Sequence, residues 1–245
     1  LRTPGQNTIR ARVKNNNEWS ALTQAEFIVD SEPARNDNLA ISEIHYRPAA
    51  PSADEIAAGF NDRTDFEFIE LLNISPRTID LGSVKFSDGI DFDFASVITG
   101  RTLDPGDRLI IVNNIDAFQM RYGKVLPPQT NIAGEYEGNL NNDGEQLIIT
   151  NSDGINIIDI KFNDGDEWPS SADGDGFSLI KINPQKNILN AGPNTWRSSA
   201  AIGGNPGYSD TLSLQEWSTA NNVTDPLLDT DNDMLSALSE YAIGT

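Results

Sequence analysis

The densest run of hard oxygen donors in the chain is Asp229-Thr230-Asp231-Asn232-Asp233-Met234-Leu235-Ser236-Ala237-Leu238-Ser239-Glu240. Counted from Asp229, carboxylates occupy positions 1, 3 and 5, Leu235 at position 7 can offer its backbone carbonyl, and Glu240 at position 12 can bind in bidentate fashion. That is the order in which a twelve-residue loop turns alternating oxygens toward one Ca2+ ion. Position 6 is Met234, where such a loop calls for glycine at a sharp positive-φ turn, so weaker binding or an altered loop is expected. The competing possibility is a solvated acidic cap leading into a helix, which the helix dipole alone would favour. The five matching positions favour calcium, in a structural role.

Other acids are less pointed. Asp164 and Asp166, followed by Asp173 and Asp175, sit in Asp-Gly-rich segments that could bind calcium but are primarily turn formers. Glu67 and Glu70 lie three apart on one expected strand, hence on opposite faces, and nothing in the sequence singles out a carboxylate pair for hydrolysis. His45 is the chain's one histidine; with no nucleophile-elbow pattern it reads as a structural strand-end residue. Trp19, Trp168, Trp196 and Trp217 stand in separate segments, which suits packing better than a sugar-stacking platform. No catalytic residue is expected.

Composition narrows the classes further. The absence of cysteine excludes thiol catalysis, thiolate metal sites and disulfides. A formal net charge of −20 disfavours contact with nucleic acid. No window of about 18 apolar residues spans a bilayer. The opening Leu1-Arg2-Thr3 reads as a piece cut from a longer polypeptide.

The elements that must position these residues are mostly β. Short apolar runs at 39–44, 66–72, 84–86, 109–112, 147–149, 155–162 and 177–182 alternate with Asp88-Gly89, Pro105-Gly106, Asp143-Gly144, Asp153-Gly154, Asp164-Gly165, Asp173-Gly174 and Asp175-Gly176. Asp-Gly between β-rich runs marks tight turns, because both residues tolerate positive φ, so an antiparallel sandwich or barrel is expected. Short helices are expected at 54–58 and 115–121, the second capped by Asn113 or Asn114. Upstream, 8–13 and 25–29 form a hairpin around Asn15-Asn16-Asn17, followed by a linker at 31–37. Charge divides the same way: 1–37 balance to zero, while 206–245 carry seven acids and no base, with helices expected near 213–217 and 235–242.

Several stretches carry a further pattern through their order and spacing. They are Ile41-Ser42-Glu43-Ile44-His45-Tyr46, Asp65-Phe66-Glu67-Phe68-Ile69-Glu70-Leu71-Leu72-Asn73, Ile79-Asp80-Leu81, Leu103-Asp104-Pro105-Gly106-Asp107, Gly138-Asn139-Leu140-Asn141-Asn142-Asp143-Gly144-Glu145, Trp168-Pro169, Ala172 through Leu179, and Gly203-Gly204-Asn205-Pro206-Gly207. Taken together they resemble the lamin tail domain, an immunoglobulin-like β-sandwich; the resemblance covers about 38–207, and no catalytic residues belong to the pattern. It implies an accessory module of a secreted or surface bacterial protein. The hairpin is similar to the closing strands of immunoglobulin- or fibronectin-like modules, and the 229–240 loop to dockerin-like, EF-hand-like calcium repeats. The expected division is therefore 1–37, closing strands plus linker; 38–208, an immunoglobulin-like antiparallel sandwich; and 209–245, a helical segment with a calcium loop. The expected role is a non-catalytic, extracellular interaction module acting through other domains of its polypeptide or a protein or surface polysaccharide partner. A carbohydrate-binding module and a carboxylate-pair hydrolase are the alternatives.

Overall fold

The structure is a computed structural model that describes residues 5–96, 101–128, 130–165, 167–186, 189 and 192–210, with isolated positions at 218, 223–225, 227–228, 236 and 238. The leading hairpin pairs β1 (Gly5–Ala11) with β4 (Thr23–Val29), and its tip is the two-residue ladder of β2 (Lys14–Asn15) and β3 (Glu18–Trp19). Asn16 and Asn17 both take positive φ, 45° and 74°, the paired conformation that matches a tight turn to the strands' twist.

Then follow β5 (Glu32–Pro33), β6 (Leu39–His45), α1 (Ala53–Ala57), β7 (Phe68–Asn73), β8 (Ile79–Asp80), β9 (Lys85–Asp88), β10 (Phe92–Asp93), β11 (Thr102–Leu103) and β12 (Arg108–Val112). They continue with α2 (Ile115–Tyr122), β13 (Asn131–Glu135), β14 (Gln146–Thr150), β15 (Asn156–Lys161), β16 (Leu179–Lys181) and β17 (Trp196–Ser198). The larger sheet runs β13-β12-β7-β6-β16-β17; opposite it stand a four-stranded sheet, β10-β9-β14-β15, and a three-stranded one, β11-β8-β5. One apolar core joins them, with Ile41, Ile69, Leu71 and Ile111 of the larger sheet packed with Phe86, Leu147, Ile158 and Leu103 of the other layer. This is a mostly β, immunoglobulin-like sandwich.

The apolar runs and Asp-Gly turns translate directly: Asp88-Gly89 closes β9 onto β10, and Asp153-Gly154 closes β14 onto β15. α2 starts at Asn114, whose side chain accepts from the Ala117 amide, and α1 carries a capping box between Ser52 and Glu55. Three points differ from expectation. Residues 31–37 include a strand, because β5 pairs in parallel with β8 and so ties that segment into the sandwich. The sheet is not purely antiparallel, since β13 runs parallel to β12 after the α2 crossover. β8, β10 and β11 are only two residues long, too short to show a period of two.

Candidate functional site

The face of the larger sheet turned away from the core carries the site. Strict alternation along β6 would put Leu39, Ile41 and Glu43 on one side, but the register slips between Ile41 and Glu43. This bulge lets Ile41 and Ile44 both enter the core while Ser42 and Glu43 turn outward. Phe68 and Glu70 of β7 share that outer face, as do Arg108, Ile110 and Val112 of β12.

Two covers lie on it. Over one half, α2 seats Phe118 and Tyr122 against Phe68, Ile110 and Val112, with Phe68 edge-on to Phe118 at 5.6 Å and to Tyr122 at 5.7 Å. His45 is fully buried there, its Nδ1 3.4 Å from the Tyr122 hydroxyl, and burial with the Arg121 charge drives its pKa down to about 3, so the ring is neutral. Over the other half lies a strap, residues 203–210, held by two buried glutamates. Glu43 Oε1 accepts from the Ser178 hydroxyl (2.6 Å) and the Asn205 amide (3.0 Å). Glu70 accepts from the Ser42 hydroxyl (2.6 Å), the Gly207 amide (2.7 Å) and the Arg108 guanidinium. The strap bends through positive-φ glycines at 203, 204 and 207, so Gly203-Gly204-Asn205-Pro206-Gly207 is a backbone requirement as well as a motif.

Between the strap, α1 and α2 lies a groove of about 450 Å³. Arg121 and Glu55 line its polar side, joined by two hydrogen bonds of 2.8 and 2.9 Å, and Arg121 also lies over the Phe66 ring at 3.3 Å. The guanidinium holds the Glu55 carboxyl down at about 2, so the pair stays ionised. The rim is apolar: Val125 and Ile202 are each 63% exposed and Tyr208 45%.

The positions singled out by sequence are scattered. Asp173 pairs with Arg47, and Asp173 and Asp164 both lie close enough to the buried Tyr46 hydroxyl to raise its pKa, burial being the larger cause. Asp175 is exposed in the neighbouring turn. Asp166, Asp229, Asp231, Asp233, Leu235 and Glu240 lie outside the described residues. Among the described residues no three carboxylate or imidazole side chains gather as a metal would require. Glu67 and Glu70 do face opposite ways: Glu67 turns to Tyr136 and Leu140, Glu70 to the strap. Sequence reasoning missed Glu43 altogether, although Glu43 in an apolar run was an available signal. Glu43 and Glu70 line a recess of about 160 Å³, below the ~300 Å³ at which small-molecule pockets usually begin, and Glu43 Oε1 and both oxygens of Glu70 accept from internal donors. Of the described tryptophans Trp19 is exposed, under Arg12 at 4.2 Å, whereas Trp168 and Trp196 pack on the core.

The Lamin Tail Domain family matches residues 32–164, more than half of the chain. The chain belongs to the lamin tail domain family. The match begins at β5, in agreement with that strand's pairing in the sandwich. In this lamin tail domain the larger sheet continues past the matched segment, because β16 and β17 complete it and the strap then crosses its outer face. No curated protein matches the chain, and no solved structure does. Among the described residues of the domain no helix is long and apolar enough to cross a membrane.

Proposed function

We propose that this lamin tail domain is a non-catalytic, extracellular interaction module that positions neighbouring domains of its own polypeptide, with the strap groove as the contact surface. The observation that carries this is the pairing of an exposed apolar rim, Val125, Ile202 and Tyr208, with nearby carboxylates, Glu55, Glu43 and Glu70, that accept from internal donors. Large apolar side chains around a concave surface suit an apolar segment of a partner protein. Carboxylates pinned by amides and hydroxyls are poorly placed to trade protons with a substrate. The leading hairpin, with Ile9, Val13, Trp19 and Leu22 exposed, fits the closing strands of a preceding module and would give such a partner a fixed attachment. The test is binding of the adjacent domains, added as separate chains, by surface plasmon resonance. Ile202→Asp with Val125→Asp should weaken binding at least tenfold while leaving the melting temperature unchanged; equal affinity would overturn the assignment.

Calcium stabilisation of the segment 209–245 belongs to the same proposal and rests on the ligand order Asp229, Asp231, Asp233, Leu235 and Glu240. All the side-chain donors are hard oxygens suited to Ca2+, and the ion's role would be to hold that segment together. Calorimetric titration of chelator-treated protein with CaCl2 should show a binding event that Glu240→Gln abolishes. An isotherm unchanged by that substitution would sink the loop.

A further inference from the structure

The outer sheet face holds two carboxylates where a sheet ordinarily avoids them. Glu43 and Glu70 are direct cross-strand partners in the antiparallel pair of β6 and β7, and each is 1% exposed. Like charges directly opposite are destabilising even on a solvated sheet, and burial removes the water that would screen them. The groups that face them come from five elements. Arg108 of β12 pairs with Glu70. Ile180 of β16 stands opposite Glu43, with Lys181 beside it occupied by Thr195 Oγ1 at 3.0 Å and the Trp196 ring. Arg197 of β17 is taken by Asp210 at the end of the strap, at 3.6 Å. From α2, Tyr122 lies near Glu43, and Arg121 is committed to Glu55 of α1. Among the described residues no cation pairs with Glu43, so one guanidinium serves two opposed carboxylates.

We propose that one proton held at the Glu43–Glu70 pair latches the 203–210 strap over the sheet, and that losing it releases the strap and dismantles one wall of the groove. Glu70, with three donors including Arg108, is the ionised member; Glu43, with a hydroxyl and an amide on one oxygen, holds the proton. Burial, reinforced by the Glu70 charge, raises the Glu43 pKa well above the carboxylate range, which agrees with this assignment. Deprotonation would set two buried anions face to face, and the relief is to let water in by lifting the strap, whose Asn205 and Gly207 amides bridge both acids. As a regulator of partner contact the latch rests on the groove reading above; its existence does not.

Hydrogen exchange of the Asn205 and Gly207 amides, corrected for intrinsic exchange and followed from pH 5 to 9, tests it. Because each opening releases one proton, wild-type protection should fall about tenfold per pH unit in the window between the ordinary carboxylate pKa and the raised one, while the β6–β7 ladder amides keep theirs. Glu43→Gln, a permanent mimic of the protonated side chain, should hold strap protection constant across the same range. A strap whose protection is independent of pH in the wild type, or falls equally in the variant, overturns the latch. Should Glu43→Gln not fold, the side-chain carboxyl 13C shift of Glu43 in the wild type decides: a neutral-carboxyl position at pH 7 supports the latch, and a carboxylate position refutes it. Groove binding that is lost in the Ile202→Asp, Val125→Asp variant but is indifferent to pH would keep the interaction reading and reject the latch as its regulator.

Discussion

Raising the pH from 4.5 to 8 should destabilise this domain, and Glu67→Gln should remove a large part of that loss. Glu67 is fully buried, and its Oε2 accepts from the Tyr136 hydroxyl at 3.0 Å and the Leu140 amide at 2.9 Å. Oε1 has no partner, and among the described residues no cation pairs with the group. Desolvation therefore outweighs the two donated bonds and pushes its pKa up to about 8, with Glu145 and Asp62 adding repulsion. Because the folded value lies above the unfolded one, the native state holds a proton that the unfolded chain has released. The stabilisation is complete below the ordinary value of 4.5, declines through the interval, and is gone once the pH passes 8. The gap corresponds to something on the order of 5 kcal/mol across that window. In the variant the amide is neutral at every pH, so urea unfolding measured at pH 5 and pH 8 should show a clearly smaller difference than in the wild type. Equal slopes would mean that Glu67 is ionised at pH 7. The Glu43–Glu70 pair contributes in the same direction, which is why the wild-type loss should not vanish entirely in the variant.

Gly204→Ala should cost about 2 to 5 kcal/mol, since a left-handed backbone costs an L-residue ~1–2 kcal/mol and overpacking a buried site ~1–3. Gly204 has φ +76°, and a Cβ there would lie 2.0 Å from Glu43 Oε1 and 2.8 Å from Ser178 Oγ. Both atoms belong to buried groups already hydrogen-bonded to each other, so neither can retreat without breaking that bond. The strap would lift, and the Asn205 amide would leave Glu43. Gly59→Ala makes the matched control, because its φ of +106° is also unfavourable for alanine yet nothing lies within 4 Å of the added carbon. The two variants' chemical denaturation midpoints should therefore differ, with Gly204→Ala the lower. If they shift equally, the strap is not packed on Glu43.

Much of the scaffold is local in origin, and local features are what a sequence displays. β12 and β14 are apolar runs bounded by turn residues, the Asp88-Gly89 and Asp153-Gly154 turns need the positive φ that glycine supplies, and Asn114 caps α2 through its own side chain three residues on. The ordered motifs that resembled the lamin tail domain are likewise the turns and paired strands of the sandwich. The 32–33 strand reads as linker in the sequence because two residues ending in proline carry no periodicity, and only its pairing with β8 defines it as a strand.

The charged site was a different matter. In the sequence Glu70 stands out only as one of two acids on a strand; nothing near it in the chain announces that Glu43, twenty-seven positions earlier, lies directly opposite. That opposition depends on a bulge at Ser42, and a bulge is a relation between two strands rather than a property of one. Likewise Gly203-Gly204-Asn205-Pro206-Gly207 declares a sharp turn by composition, yet what the turn lies against is fixed by hydrogen bonds from its backbone amides to side chains more than a hundred residues away. Composition and local pattern carry the β-sandwich with its Asp-Gly turns, the family resemblance and the calcium-like order of ligands at 229–240. Which acids are buried and which face each other follows from the assembled sheets, because register and burial arise from pairings across distance that no local period records.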